Sequence, residues 1–174
     1  MLAPFNLQKW IDHNRDLLKP PVANKNLYVN AGDFIVMVVA GPNARKDYHY
    51  NESEELFYQL EGDITVRIQN EGSAQDILVK EGEMFLLPAK TPHSPVRGEQ
   101  TIGLVIERVR KGTELQDGLM WFCENCNAHL HTYRFALENI EKDFIPRFKE
   151  FYGSEEMRTC KTCGHVMEAD PKFV

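Results

Sequence analysis

A chain of 174 residues with 43% hydrophobic content is long enough for one well-buried core and a small appendage. Its 26 acidic residues outnumber its 20 basic ones, and the basic residues are scattered, so nucleic acid is not an expected partner. Nowhere do about eighteen consecutive residues lack charge, and Met1 to Trp10 show no basic stretch followed by an apolar run. A membrane span and a signal peptide are therefore not expected, and the expected location is cytoplasmic.

Asn6 reads as an N-cap, and Leu7, Trp10, Ile11, Leu17 and Leu18 recur at helical spacing until Pro20 and Pro21. This predicts an N-terminal amphipathic helix. The pattern then changes to short runs rich in Val, Ile, Phe and Tyr: Phe34 to Val39, Leu56 to Leu60, Ile64 to Ile68, Met84 to Leu87 and Thr101 to Ile106. Turn clusters at Gly41-Pro42-Asn43, Glu61-Gly62-Asp63, Asn70-Glu71-Gly72-Ser73 and Glu81-Gly82 separate them. Short strands without intervening helices predict an antiparallel barrel or sandwich. Beyond Gly112, Leu119 to Arg134 reads as strand-like. Leu137, Ile140, Phe144, Phe148 and Phe151 then predict a helix ending at Gly153, kinked or broken at Pro146. The expected division is 1–112, a barrel with its N-terminal helix, and 113–174, a C-terminal strand-helix segment.

Two constellations carry chemistry. The first places His49, then Glu55 six residues later, then Gly62 after six intervening residues, and later Gly82, Pro88 and His93. This spacing resembles the two motifs of the cupin superfamily, a jelly-roll barrel in which histidines and a glutamate hold a divalent metal. Asn51 stands where a second histidine is common, Lys90 where a glycine is usual, and Arg97 where an asparagine is common. Two imidazoles and one carboxylate leave about three positions open on an octahedral ion, as in non-haem Fe(II) oxygenases. Glu52 and Glu54 compete with Glu55 on composition. Strand alternation puts Glu55, Phe57 and Gln59 on one face and Glu54, Leu56 and Tyr58 on the other, and the glutamate-to-glycine spacing selects Glu55. Taken singly, His49 and His93 could be loop histidines.

The second constellation is Cys123 with Cys126 and Cys160 with Cys163. Paired Cys-x-x-Cys motifs suit a tetrahedral ion held by four thiolates, zinc or a rubredoxin-like iron. Such a closed site is expected to be structural. His129, His131 and His165 are surplus to it.

The whole chain resembles the bacterial-type 3-hydroxyanthranilate 3,4-dioxygenase family. The resemblance rests on Leu17-Leu18-Lys19-Pro20-Pro21-Val22, Gly41-Pro42-Asn43, Asp47-Tyr48-His49, Phe57-Tyr58-Gln59 and His93-Ser94-Pro95. It implies Fe(II)-dependent extradiol cleavage of 3-hydroxyanthranilate by O2, a second iron or zinc on the four cysteines, and a homodimer. It also implies iron ligands at His49, Glu55 and His93, catalytic roles for Glu107 and Arg45, and a substrate pocket of Arg45, Arg97, Glu107, Asn24, Phe57 and Pro95. In that reading Arg97 grips the substrate carboxylate, Glu107 accepts the phenol proton, and Arg45 stabilises anionic intermediates. Two alternatives stay open: a non-catalytic cupin that binds a small acidic ligand, and a dioxygenase for another aminophenol or catechol.

Overall fold

The computed structural model describes residues 3–19, 24–43, 45–139 and 142–174. Helix α1 (Leu7–Asn14) starts at Asn6, whose side-chain oxygen accepts from the Lys9 N–H at 2.9 Å. That bond satisfies one of the donors a helix start leaves open. The helix is shorter than its apolar spacing predicts. Asn14 donates its side-chain amide back to the Trp10 carbonyl at 2.7 Å and leaves helical dihedrals, and the chain tightens into a 3-10 turn over Arg15–Leu18. Pro20 and Pro21 lie outside the described residues.

Two antiparallel sheets follow. The five-stranded sheet runs β1 (Asn24–Asn26), β2 (Phe34–Ala40), β9 (Ile102–Arg108), β4 (Glu55–Glu61), β7 (Met84–Leu87) in spatial order. The six-stranded sheet runs β11 (His129–Phe135), β10 (Asp117–Phe122), β3 (Tyr48–Asn51), β8 (His93–Arg97), β5 (Ile64–Asn70), β6 (Ser73–Val79). Their inner faces share one core: Met37, Val39, Phe57, Leu87 and Val105 from the first meet Ile64, Val66 and Val79 from the second. Each sheet thus hides its apolar side against the other. Helix α1 covers one end of the outer face of the five-stranded sheet, where Ile11 and Leu18 pack on Val38, Ala40 and Ile102.

The five predicted strand runs fall on β2, β4, β5, β7 and β9. Four strands were not predicted. β6 is mostly solvent-exposed and carries Ser73, Gln75 and Asp76 in its first half, β1 is three polar residues, and β3 and β8 carry His, Asn, Ser, Pro and Arg toward the interior. In such runs polar residues dilute the β-branched and aromatic signature by which strands are recognised. One turn shows close packing of backbone on backbone: a Cβ at Gly41 would lie 1.9 Å from the Gly98 carbonyl oxygen, so only glycine fits there.

The C-terminal segment corrects two expectations. The stretch Leu119 to Arg134 is a hairpin, β10 and β11, with Cys123 and Cys126 in its connection. The helix expected from Leu137 is only α2 (Ile145–Gly153), and Pro146 sits in its first turn, where a missing N–H breaks no bond; it neither kinks nor breaks the helix. Upstream, the Asp143 carboxylate accepts from the N–H groups of Glu138 and Asn139, both at 2.8 Å, and folds the chain into a turn instead. Ile140 lies outside the described residues. Leu137 and Phe144 remain buried in a separate cluster, in which Trp121 stacks on Phe151 at 4.1 Å. A short helix α3 (Glu155–Arg158) leads to the second cysteine pair.

Candidate metal centre and its cavity

Strands β3 and β8 lie side by side and set His49 opposite His93. Glu55 arrives from β4 of the other sheet, with Phe57 and Gln59 buried on the same side and Glu54 exposed. The Glu55 oxygens sit 3.2 Å from His49 Nδ1 and 3.2 Å from His93 Nε2. One ligand atom from each residue falls within 4.8 Å of the others. The outer nitrogens are held as well: His93 Nδ1 donates to the Thr91 carbonyl at 3.0 Å, and His49 Nε2 bonds Asp117 Oδ1 at 2.7 Å.

A network surrounds these three residues. Asp117 is fully buried and forked by Arg110, whose Nε reaches Oδ2 at 2.6 Å and whose Nη2 reaches Oδ1 at 2.8 Å. Arg110 also reaches Glu107 at 2.8 Å. Asn51 donates its amide to both Glu55 and Glu107 at 3.1 Å, while its oxygen is fixed by Ser53.

Electrostatics makes this group receptive to a cation. Burial works against a charge on His49, yet Glu55 and Asp117 outweigh it and lift the ring to about 10. Burial likewise opposes ionisation of Glu55, but the two imidazoles hold its carboxyl well below the usual carboxylate range. Glu107 is pushed up to about 7 by burial and then by the Glu55 charge, against the pull of Arg110 and His49. Three buried carboxylates, Glu55, Glu107 and Asp117, thus face one buried guanidinium, Arg110. A divalent ion brings that group to neutrality with both imidazoles uncharged. The residues present fit a divalent metal in donor type, spacing and charge.

Beside this centre lies a cavity of about 110 Å³. Its lining includes His49, Glu55 and His93 together with Asn24, Arg45, Phe57, Pro95, Arg97 and Glu107, so all the sequence-selected pocket residues face one space. The two arginines differ sharply. Arg45 forms a forked ion pair with Asp47 and lies over the Phe144 and Phe148 rings. Arg97 is 3% exposed, its Nη1 donates to Gln59 Oε1 at 3.1 Å, and its Nε has no partner. Burial alone brings its guanidinium down to about 10. A buried charge with an open donor beside a cavity is a receptor for an anion.

A family model described as 3-hydroxyanthranilic acid dioxygenase matches residues 1–152. The chain belongs to that family. Proteins named 3-hydroxyanthranilate 3,4-dioxygenase are similar to it along nearly its whole length. The one from Xanthomonas campestris pv. campestris is 51% identical over 173 residues, 99% of this chain and 97% of the relative. The one from Bacillus thuringiensis is 48% identical over 167 residues, 95% and 92% of the two chains. Among solved structures, a cupin-2 domain containing protein from Shewanella frigidimarina aligns with a TM-score of 0.47 and 18% identity, over 59% of this chain and 99% of that one.

Sequence reasoning missed several residues of the centre in this member of the family. Asn51 was singled out only as the place of an absent histidine, yet it bridges Glu55 and Glu107. Arg110, Asp117 and Phe144 carried no motif. Asp117 reaches His49 because β10 pairs with β3, and a long-range pairing of that kind leaves no local pattern. Phe144 closes the cavity wall with its ring 5.3 Å from that of His49.

The family chain's second centre is built from two similar knuckles. In each, the N–H four residues after the first cysteine returns to that cysteine's carbonyl at 2.9 Å, from Asn127 and from Gly164, both with positive φ. Cys123 and Cys163 approach to 3.6 Å, as do Cys126 and Cys160, and all four sulfurs lie within 4.8 Å of one another. Backbone N–H groups of Thr162, Cys163 and His165 point at the second pair and draw Cys160 below its ordinary value and Cys163 down to about 6, whereas at Cys126 the Ala128 N–H pulls the same way but the neighbouring thiols and burial lift the thiol to about 12. Among the described residues, only these two groups bring three or more ligand atoms together, and His129, His131 and His165 join neither. Among them, too, no helix is long and apolar enough to cross a membrane.

Proposed function

We propose that this chain is an Fe(II)-dependent extradiol dioxygenase that opens the ring of 3-hydroxyanthranilate with O2. Its product is 2-amino-3-carboxymuconate semialdehyde, which closes spontaneously to quinolinate, a precursor of NAD. The observation that carries this reading is Arg97: a buried guanidinium with an unpartnered Nε, in the same cavity as His49, Glu55 and His93. A metal alone balances the carboxylates, so Arg97 is left to take one further anion, and the substrate supplies one carboxylate.

His49, Glu55 and His93 would hold the iron, which supplies transfer of electron density between the aminophenolate and dioxygen; redox-silent zinc does not. Arg97 binds the carboxylate and fixes the ring's rotation. Phe57 and Pro95 pack the ring faces, with Asn24 at the cavity wall. Glu107 takes the phenol proton, and its position near 7 suits a group that must accept a proton at neutral pH. Arg45, held by Asp47 and the two phenylalanine rings, presents a fixed positive charge to anionic intermediates.

In the same reading the four cysteines hold iron or zinc in a structural role. Residues 1–112 form the catalytic barrel, and residues 113–174 buttress it through Asp117 and Phe144. The protein is cytoplasmic and a homodimer; exposed Phe34, Met84 and Leu86 on the outer face of the five-stranded sheet support self-association.

The test is anaerobic reconstitution with Fe(II), then 3-hydroxyanthranilate and air, with oxygen uptake and near-ultraviolet absorbance recorded together. One O2 consumed per semialdehyde formed, lost in His49→Ala, supports the reading. Bound iron without ring opening overturns it.

A further inference from the structure

We propose that Asp117 is a positioning residue for the metal centre: it fixes the His49 imidazole with Nδ1 facing the metal position, and Arg110 locks Asp117 in place for that task. The inference rests on the metal reading of His49, Glu55 and His93, but not on the identity of the substrate.

The geometry points to Asp117 in three ways. His49 is the one ligand whose outer nitrogen meets a carboxylate, at 2.7 Å, whereas His93 meets a backbone carbonyl at 3.0 Å. A carboxylate accepts only, so it requires the proton on Nε2 and leaves Nδ1 as the lone-pair donor. Asp117 itself cannot rotate away, because Arg110 grips both of its oxygens and is itself 2% exposed. The chain keeps this assembly dry: Asp117 is 0% exposed at the start of β10, opposite Asn51 of β3.

Arg110 adds a second consequence. By reaching Glu107 as well as Asp117, it ties the cavity's free carboxylate and the orientation of a ligand to one rigid guanidinium. Its planar fork sets the spacing of the two acids; a lysine cannot.

Mn(II) is the probe, because a hard ion prefers the imidazole-carboxylate set and leaves the four thiolates alone. Binding is followed by electron paramagnetic resonance in wild type, Asp117→Ala, Asp117→Asn and Arg110→Met, each with its melting temperature. Asp117→Ala is expected to weaken Mn(II) binding about 10- to 100-fold and to change the line shape of the bound ion. Asp117→Asn should recover part of the loss, since its amide oxygen still accepts from His49. Arg110→Met should fall between wild type and Asp117→Ala. Folded variants that bind Mn(II) within about twofold of wild type, with its line shape, overturn the inference even if their melting temperatures drop. If Asp117→Ala does not fold, Asp117→Asn and Arg110→Met decide on the same criterion. Uptake by wild type that survives His49→Ala overturns the metal reading itself, which is a distinct outcome.

Discussion

Arg97, the residue proposed to bind the substrate carboxylate, carries a cost to the fold. Burial alone depresses it to about 10, and its Nε is left without a partner, so in the empty cavity its charge is a cost to the folded state. Arg97→Met keeps similar length and removes that charge. It should raise the melting temperature, by about 1–3 kcal/mol of stability. It should also raise KM roughly a hundredfold through the lost carboxylate contacts. Calorimetry and steady-state kinetics on one preparation check both, and a destabilised variant with normal KM would place carboxylate recognition elsewhere. His49 carries the opposite sign of pH dependence from a salt-bridged acid. In the metal-free chain its pKa rises from the usual 6.5 to about 10, so the folded state binds more protons between those values. The stability this contributes is complete below pH 6.5 and is lost as pH climbs through about 10. A metal must displace that proton, so Mn(II) affinity should rise with pH, by up to about tenfold per pH unit above 6.5. Titrations between pH 6.5 and 8.5 test this, and a flat profile would show that His49 is not a ligand.

The turns show which parts of an element are written locally. The turn between β5 and β6 was legible, although β6 itself was not, because Asn70-Glu71-Gly72-Ser73 supplies two residues of positive φ, at Glu71 and Gly72, which a two-residue connection requires. Lys90 is the converse. It stands where a glycine is usual, and it adopts φ +66 in the turn between β7 and β8, with its N–H bonded to the Asn51 carbonyl at 2.7 Å. Lys90→Gly should therefore stabilise the protein by about 0.5–1 kcal/mol, or roughly 1–4 °C in melting temperature. An unchanged or lower melting temperature would mean that the added freedom of glycine in the unfolded chain cancels the relief. The strands that carry polar residues into the interior were not legible, because the feature that makes β3 and β8 useful removes the apolar alternation that identifies a strand. Glu55 could be picked out because its spacing to the turn glycine Gly62 singles it out from Glu52 and Glu54. Asp117 could not, since its partner is 68 residues away in sequence.

At the scale of the whole molecule, the C-terminal segment is joined to the barrel through contacts that sequence spacing does not connect, and two of them bear on the cavity. β10 extends the six-stranded sheet through β3, and Phe144 closes the cavity wall. The four cysteines clip the far end. The 33 residues between Cys126 and Cys160 enclose β11, α2 and α3, so a metal on the four thiolates closes that loop. Loop closure of this length is worth about 3–4 kcal/mol by chain entropy, if a metal clip acts on the unfolded chain as a disulfide does. The cluster of Trp121, Phe148, Phe151, Tyr152 and Met167 supplies packing that remains without the clip. Cys160→Ser should therefore lose one metal equivalent and lower stability by a few kcal/mol. Hydrogen exchange should quicken most at the two knuckles and in β11. The inner barrel strands β4, β5 and β9 should keep their protection, because their partners lie within the barrel itself. Metal content by mass spectrometry and exchange followed peptide by peptide measure both. Uniform loss of protection across barrel and C-terminal segment would show instead that the thiolate clip and the barrel unfold as a single cooperative unit.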